Sequence, residues 1–172
     1  MSVMIRPRTG TDLDACVAAL REVHDVDRYP ELWPTDPVGW LSPPKLLAAV
    51  VAERDGMVIG HIGLGVSGRT PQAVRDAVGT AAVVSVIRLF VVPGARRTGV
   101  GARLLAAAVG VAESRGQRAV LTVESGSAAA IAMYERSGWL RVHSGSGGWY
   151  TANGQEARVH YYVSPSRHGS SW

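Results

Sequence analysis

Residues 83–115 constrain the fold more than any other stretch, because an apolar, β-rich run passes through a glycine-bearing turn into a segment of helical periodicity. Val83, Val84, Val86, Ile87, Leu89, Phe90, Val91 and Val92 predict a strand covered on both faces, stopped by Pro93 and Gly94. Val100, Leu104, Leu105, Ala108, Val111 and Ala112 then recur as a helical stripe, so the turn at 95–101 stands at a helix N-terminus. The first amides of a helix lack internal partners, and its dipole places about half a positive charge there. That is a setting for a phosphate. Gly99 and Gly101 leave the backbone open to close approach, while Arg96 and Arg97 add full charge. A glycine turn that merely packs a helix on a sheet is the competing reading.

Around this unit the chain, 172 residues long, reads as one domain over 1–163 with a frayed tail at 164–172. No apolar run approaches the ~20 residues of a membrane span, and the single cysteine, Cys16, cannot form an internal disulfide. A cytoplasmic protein without a membrane partner is expected. The net charge of +4 comes from seventeen arginines and one lysine dispersed along the chain, which argues against a nucleic-acid footprint. Seven of the fourteen acids, by contrast, lie in the first 36 residues.

Residues 3–7 predict a short strand ended by Pro7. Thr11 and Asp14 read as a capping box for a helix carrying Leu13, Cys16, Val17, Leu20 and Val23 on one face. Residues 24–40, rich in acids, aromatics and prolines, predict an irregular loop with at most a short helix. Residues 47–54 and 57–66 flank Asp55-Gly56, a hairpin signal, and His61 falls on a strand face cleared by glycines. A linker at 67–82, with a turn of helix after Pro71, leads into the central unit. A strand at 119–123 and an alanine-rich helix at 127–137 stopped by Gly138 follow. Two last strands, 139–143 and 158–163, are separated by a glycine- and serine-rich loop carrying Trp149 and Tyr150. The order implies a mixed α/β sheet with helices on its faces.

Two motifs now stand in register: Leu89-x-Val91-x-Pro93-x-x-Arg96-x-x-Gly99-x-Gly101, and Ser127-x-x-Ala130-x-x-x-Tyr134-Glu135-x-x-Gly138-Trp139. With their order and spacing the chain resembles the GNAT N-acetyltransferases over nearly its whole length. The resemblance implies a GNAT fold, a mixed, mostly antiparallel sheet of about seven strands with helices on both faces. It implies acetyl-CoA as co-substrate, no metal, and a small-molecule or peptide amine as acceptor, and it is compatible with a homodimer. Cofactor contacts are implied at Leu89, Phe90, Val91, Arg96, Arg97, Thr98, Gly99, Val100, Gly101, Ala102, Ser127 and Ala130. The amide of Val91 would meet the thioester oxygen, and Tyr134 would act as general acid on the departing thiolate. A coenzyme A-binding sensor or scaffold without turnover is the alternative.

Two positions depart from the family pattern. Ser127 stands where the second motif often has asparagine. Ser85 stands six residues before Val91, where histone-type members carry a glutamate base. A lysine amine needs roughly 4–5 kcal/mol to lose its proton at pH 7, an α-amine only about 1. The missing carboxylate favours a low-pKa amine or a base from elsewhere, with Glu124, His61 and the loop acids Asp25, Asp27 and Glu31 as candidates. Tyr29, Trp33, His61 and Ser85 are the expected acceptor contacts. The aromatics and acids of 25–40 predict a pocket for a cationic or aromatic amine.

Overall fold

A computed structural model of the chain describes residues 2–79 and 82–166. In chain order its elements are β1 (Met4–Pro7), α1 (Leu13–Asp27), α2 (Pro37–Leu41), β2 (Leu46–Arg54), β3 (Met57–Val66), α3 (Gln72–Val78), β4 (Ala82–Val91), α4 (Val100–Ser114), β5 (Gln117–Glu124), α5 (Ala128–Arg136), β6 (Leu140–Tyr150) and β7 (Glu156–Val163). The strands form one seven-stranded sheet in the order β1-β2-β3-β4-β5-β7-β6. Only β4 and β5 are parallel; the other neighbours are antiparallel. Among the described residues no helix is long and apolar enough to cross a membrane.

Local chemistry accounts for most of the boundaries. Asp55 (φ 54°) and Gly56 (φ 76°) both take the left-handed conformation that matches a two-residue turn to strand twist, and they close the β2–β3 hairpin. Gly138 (φ 84°) ends α5: its amide reaches Glu135 O at 3.1 Å and that of Trp139 reaches Tyr134 O at 3.0 Å, a Schellman closure. Asp36 accepts the amide of Gly39 at 3.0 Å and, with Pro37 in the first turn, starts α2.

Four expectations need correction. The cap before α1 lies two residues earlier than Thr11: the Thr9 amide donates to Asp12 Oδ2 at 2.7 Å, and Arg6 on β1 holds both Asp12 oxygens at 2.8 Å. Helix α1 does not give way to loop at His24 but runs to Asp27, because Arg21 pairs with Asp25 and Arg96 with Asp27, neutralising acids that would oppose the helix C-terminus. The glycine- and serine-rich stretch is no loop; it is most of β6, held by pairing from Leu140↔Val163 to Tyr150↔Glu156. Ser164 is not frayed: it is buried, its amide donates to Ala119 O at 2.8 Å, and its hydroxyl accepts the Ala119 amide at 3.1 Å. Residues 167–172 of the expected tail lie outside the described residues.

The core has two layers. A Cβ on Gly60 would meet Leu104 and Val100 of α4, so Gly60 faces that helix. The next residue, His61, faces the opposite side, toward Arg8 and α1. Val100, Leu104, Leu105, Ala108 and Ala112 are buried on one side of the sheet, and Cys16, Leu20 and Val23 of α1 on the other. Burial pushes the Cys16 thiol up to about 11, so it is a packing residue.

Candidate active site

Strands β4 and β5 pair only from Ala82↔Gln117 to Ser85↔Val120 and then part. Beyond Ser85 the β4 backbone has no strand on that side, which is why residues 85–89 are half-buried and not, as the apolar run predicts, covered on both faces. The split opens into a cleft of about 290 Å³ lined by Tyr29, Val86, Ile87, Arg88, Leu89, Leu121, Thr122 and Tyr134.

The register decides what β4 offers to the cleft. Val92 donates to Ile59 O at 2.9 Å, so Ile59–Val92 is a hydrogen-bonded pair and, two residues on, so is His61–Phe90. Gly60–Val91 between them is a non-bonded pair, whose backbone groups point away from β3. Accordingly Val91 O accepts Arg96 Nε at 3.2 Å, and the Val91 amide faces the open side. Phe90, expected at the cofactor, instead turns its amide to β3 and stacks its ring on His61 at 5.2 Å.

Between His61↔Phe90 and Gly63↔Ile87, β4 uses one residue more than β3, a bulge with Arg88 at φ 55°. His61 pins it. The wholly buried ring donates from Nδ1 to Arg88 O at 2.8 Å, and Nε2 accepts Arg8 Nη1 at 3.0 Å; Arg8 also donates to Leu41 O and Ser42 Oγ. Burial pushes this imidazole down to about 4, so it stays neutral. His61 is therefore neither base nor acceptor contact.

The turn expected to take phosphate connects this seam to α4. Gly99 (φ 83°) has open space where a Cβ would project, and the amides of α4's first turn have no helical acceptor behind them. Gly101 has a different reason to lack a side chain: a Cβ there would lie 2.6 Å from Met133 Sδ, so it lets α5 pack against α4. Arg96 is engaged with Asp27 and Val91 O, whereas Arg97 (φ 62°) is exposed. Thr98 donates to Ala95 O. Val100 is buried, and Ala102 is half-buried in the first turn of α4. Ser127 precedes α5 without a side-chain cap, and Ala130 packs against the core.

Of the expected acceptor and proton-transfer residues, the fold brings Tyr29 and Tyr134 to the cleft. Burial raises both phenols, Tyr134 to about 12. Ser85 sits where the strands begin to part. Trp33 lies elsewhere, packed on α1 against His24 (5.4 Å) with Arg21 4.9 Å from its ring centre. Glu124 and Glu31 are exposed and do not line the cleft, and Asp25 and Asp27 are paired. Trp149 and Tyr150 stand exposed at the end of β6 and do not line the cleft. Arg88 and Thr122 were not anticipated; the signal for Arg88 was a lone arginine inside an apolar strand run. A second hollow of about 300 Å³ beside α3 offers little chemistry, since its one charged residue, Arg75, is bound to Gln72.

The family model described as "Acetyltransferase (GNAT) family" matches residues 15–139. The chain belongs to the GNAT acetyltransferase family. No curated protein matches it closely. Among solved structures, the ribosomal-protein-S18-alanine N-acetyltransferase from Escherichia coli is 20% identical, with 99% of this chain and 100% of that one covered at a TM-score of 0.68. Arabidopsis thaliana NAA60 in complex with a bisubstrate analogue is 19% identical over 94% and 97%, at 0.73. The putative acetyltransferase yncA from Salmonella typhimurium, solved with its cofactor acetyl-CoA, is 18% identical over 99% and 98%, at 0.70. These three share the GNAT fold with this chain. As a GNAT acetyltransferase the protein uses acetyl-CoA as co-substrate. Among the described residues no group of three or more His, Cys, Asp or Glu is placed to hold a metal ion.

Proposed function

We propose that this GNAT acetyltransferase transfers the acetyl group to a primary amine by direct attack while donor and acceptor are bound together in the β4–β5 cleft. The observation that carries the reading is the split itself: it leaves the Val91 amide unpaired beside a helix N-terminus whose glycine turn is open. Amides of the turn at 97–102 bind the pyrophosphate, and the arm of the donor lies along Leu89 and Val91 as an additional strand would. The Val91 amide, fixed before the reaction, donates to the carbonyl oxygen as charge develops on it.

In the transfer the amine nitrogen bonds to the acetyl carbon and the C–S bond breaks. The thiolate sulfur is met by the Tyr134 hydroxyl, which makes no hydrogen bond to other described residues. The acceptor loses its ammonium proton to water before attack, since among the described residues no carboxylate lines the cleft and the nearby imidazole, His61, is walled in. Such a site works best on an amine of low pKa.

Acetyl-CoA should raise the melting temperature, because a ligand held only by the folded state stabilises by mass action. Ala102→Glu puts a negative charge in the first helical turn, where it suits the helix but repels phosphate. The variant should fold normally and lose at least tenfold in acetyl-CoA affinity by titration calorimetry. Unchanged affinity in both Ala102→Glu and Gly99→Glu would overturn the cofactor placement.

A further inference from the structure

The one charged side chain among the described residues lining the cleft is a cation, although acids dominate the flanking loop. Arg88 is half-buried; its Nε donates to Trp40 O at 3.0 Å, and its guanidinium carbon lies 3.9 Å from the centre of the Trp40 ring. Tyr29 packs edge-on against the same ring at 5.9 Å. Among the described residues no carboxylate pairs with Arg88, and its two terminal nitrogens have no acceptor. The acids that could have served are committed elsewhere: Asp25 to Arg21, Asp27 to Arg96, Asp36 to the start of α2.

Removing a guanidinium from water without a counter-ion is unfavourable, and a ring face and one carbonyl offset only part of it. The bulge that presents Arg88 also holds a non-glycine residue in the left-handed region, and a buried histidine is used to keep it there. What remains open is the planar fork of the guanidinium, whose geometry matches a carboxylate. We propose that Arg88 is the anion-recognition residue of the acceptor site and that the acceptor is a small amine bearing a carboxylate, of the amino-acid type. This rests on the acetyltransferase reading above. At about 3.3 Å per strand residue, Arg88 and Val91 are under ~10 Å apart along β4, so only a few bonds separate the carboxylate from the attacking amine. The Tyr29 hydroxyl supplies a second donor beside Arg88. The pocket for a cationic or aromatic amine expected from the loop gives way to one for an amine that also bears a carboxylate, because Asp25, Asp27 and Asp36 face other partners and Glu31 is exposed outside the cleft lining.

The test follows thiol release from acetyl-CoA with the common L-amino acids, each compared with its own carboxamide, which keeps the side chain but loses the charge; because the amide also has the lower amine pKa, rates are expressed per unit of free amine at the assay pH. The wild-type protein should prefer at least one acid over its amide by tenfold or more in kcat/KM. In Arg88→Met that acid-to-amide ratio should fall at least tenfold, mainly through KM, and Arg88→Lys should recover only part of it, having charge without the fork. Acetyl-CoA should still raise the melting temperature of both variants. Amides used as well as acids, or an unchanged ratio in Arg88→Met, would overturn the proposal. So would a protein that binds acetyl-CoA and acetylates none of the acids. Absence of acetyl-CoA binding by the wild type would instead remove the transferase reading beneath it.

Discussion

Tyr134 is held above its solution pKa by burial, up to about 12, and this changes what it can do for a departing thiolate. A thiol is about 3–4 pKa units more acidic, so full transfer from the phenol is uphill by roughly 5 kcal/mol. On the proposed mechanism the hydroxyl would therefore act chiefly as a hydrogen-bond donor to sulfur, with the proton released by the attacking amine restoring the balance. Tyr134→Phe should lower kcat by ten- to a hundredfold and leave acetyl-CoA affinity within about twofold, since the interaction forms only as charge reaches sulfur. The pH profile of kcat/KM should rise with deprotonation of the acceptor ammonium and show no falling limb from Tyr134 below about pH 11. Steady-state kinetics on both proteins, with calorimetry for the donor, checks this; equal kcat would remove Tyr134 from the reaction.

At the scale of elements, the glycines of β3 decide how closely the layers approach. A Cβ on Gly60 would come within 2.9 Å of Leu104 Cδ1 and 3.3 Å of Phe90 O, one of them backbone that cannot give way. Gly60→Ala should destabilise by about 1–3 kcal/mol, measured by urea unfolding, as overpacking in a filled core does. Such contacts explain which elements were legible in the sequence. The hairpin at Asp55-Gly56, the helix of residues 100–114 and the stop at Gly138 rest on neighbours a few residues apart, and local spacing reveals them. The later part of strand β6, residues 144–150, was not legible, because serine and glycine have little strand preference of their own and pairing with β7 overrides it. The Arg88 bulge was hidden for a similar reason: it depends on His61, 27 residues away, which depends in turn on Arg8, 53 residues from it. The glycine turn at 95–101 and Tyr134 were visible as motifs. The cation in the cleft was not, since only the fold shows that the loop acids turn elsewhere.

For the whole molecule, two buried polar centres tie chain segments distant in sequence, and both respond to acid. His61 joins β1's exit, α2, β3 and β4 through Arg8 and the bulge, and it can do so only as the neutral ring, because a proton on Nε2 would face the Arg8 guanidinium. Its pKa is about 4 in the fold against 6.5 when unfolded, so between those values the unfolded chain binds more protons. Stability then rises with pH across that window: this contribution is complete above about pH 6.5 and is lost as pH falls toward 4, with a slope of up to about 1.4 kcal/mol per pH unit. Asp12, held well below the usual carboxylate range by Arg6 and the Thr9 amide, adds a second loss only below its ordinary value of 3.8. Urea unfolding at pH 7.5, 6.0, 5.0 and 4.2 should therefore show a steady decline that is well under way at pH 5.0, before any carboxylate of ordinary pKa is half protonated. His61→Gln retains a donor and an acceptor for Arg88 O and Arg8 but has no proton to gain. It should be less stable than the wild type at pH 7.5, by about 1–3 kcal/mol, through the lost ring stacking and imperfect bonds, and should flatten the slope between pH 6.5 and 4.2. A slope as steep in His61→Gln as in the wild type would assign the acid sensitivity to another group.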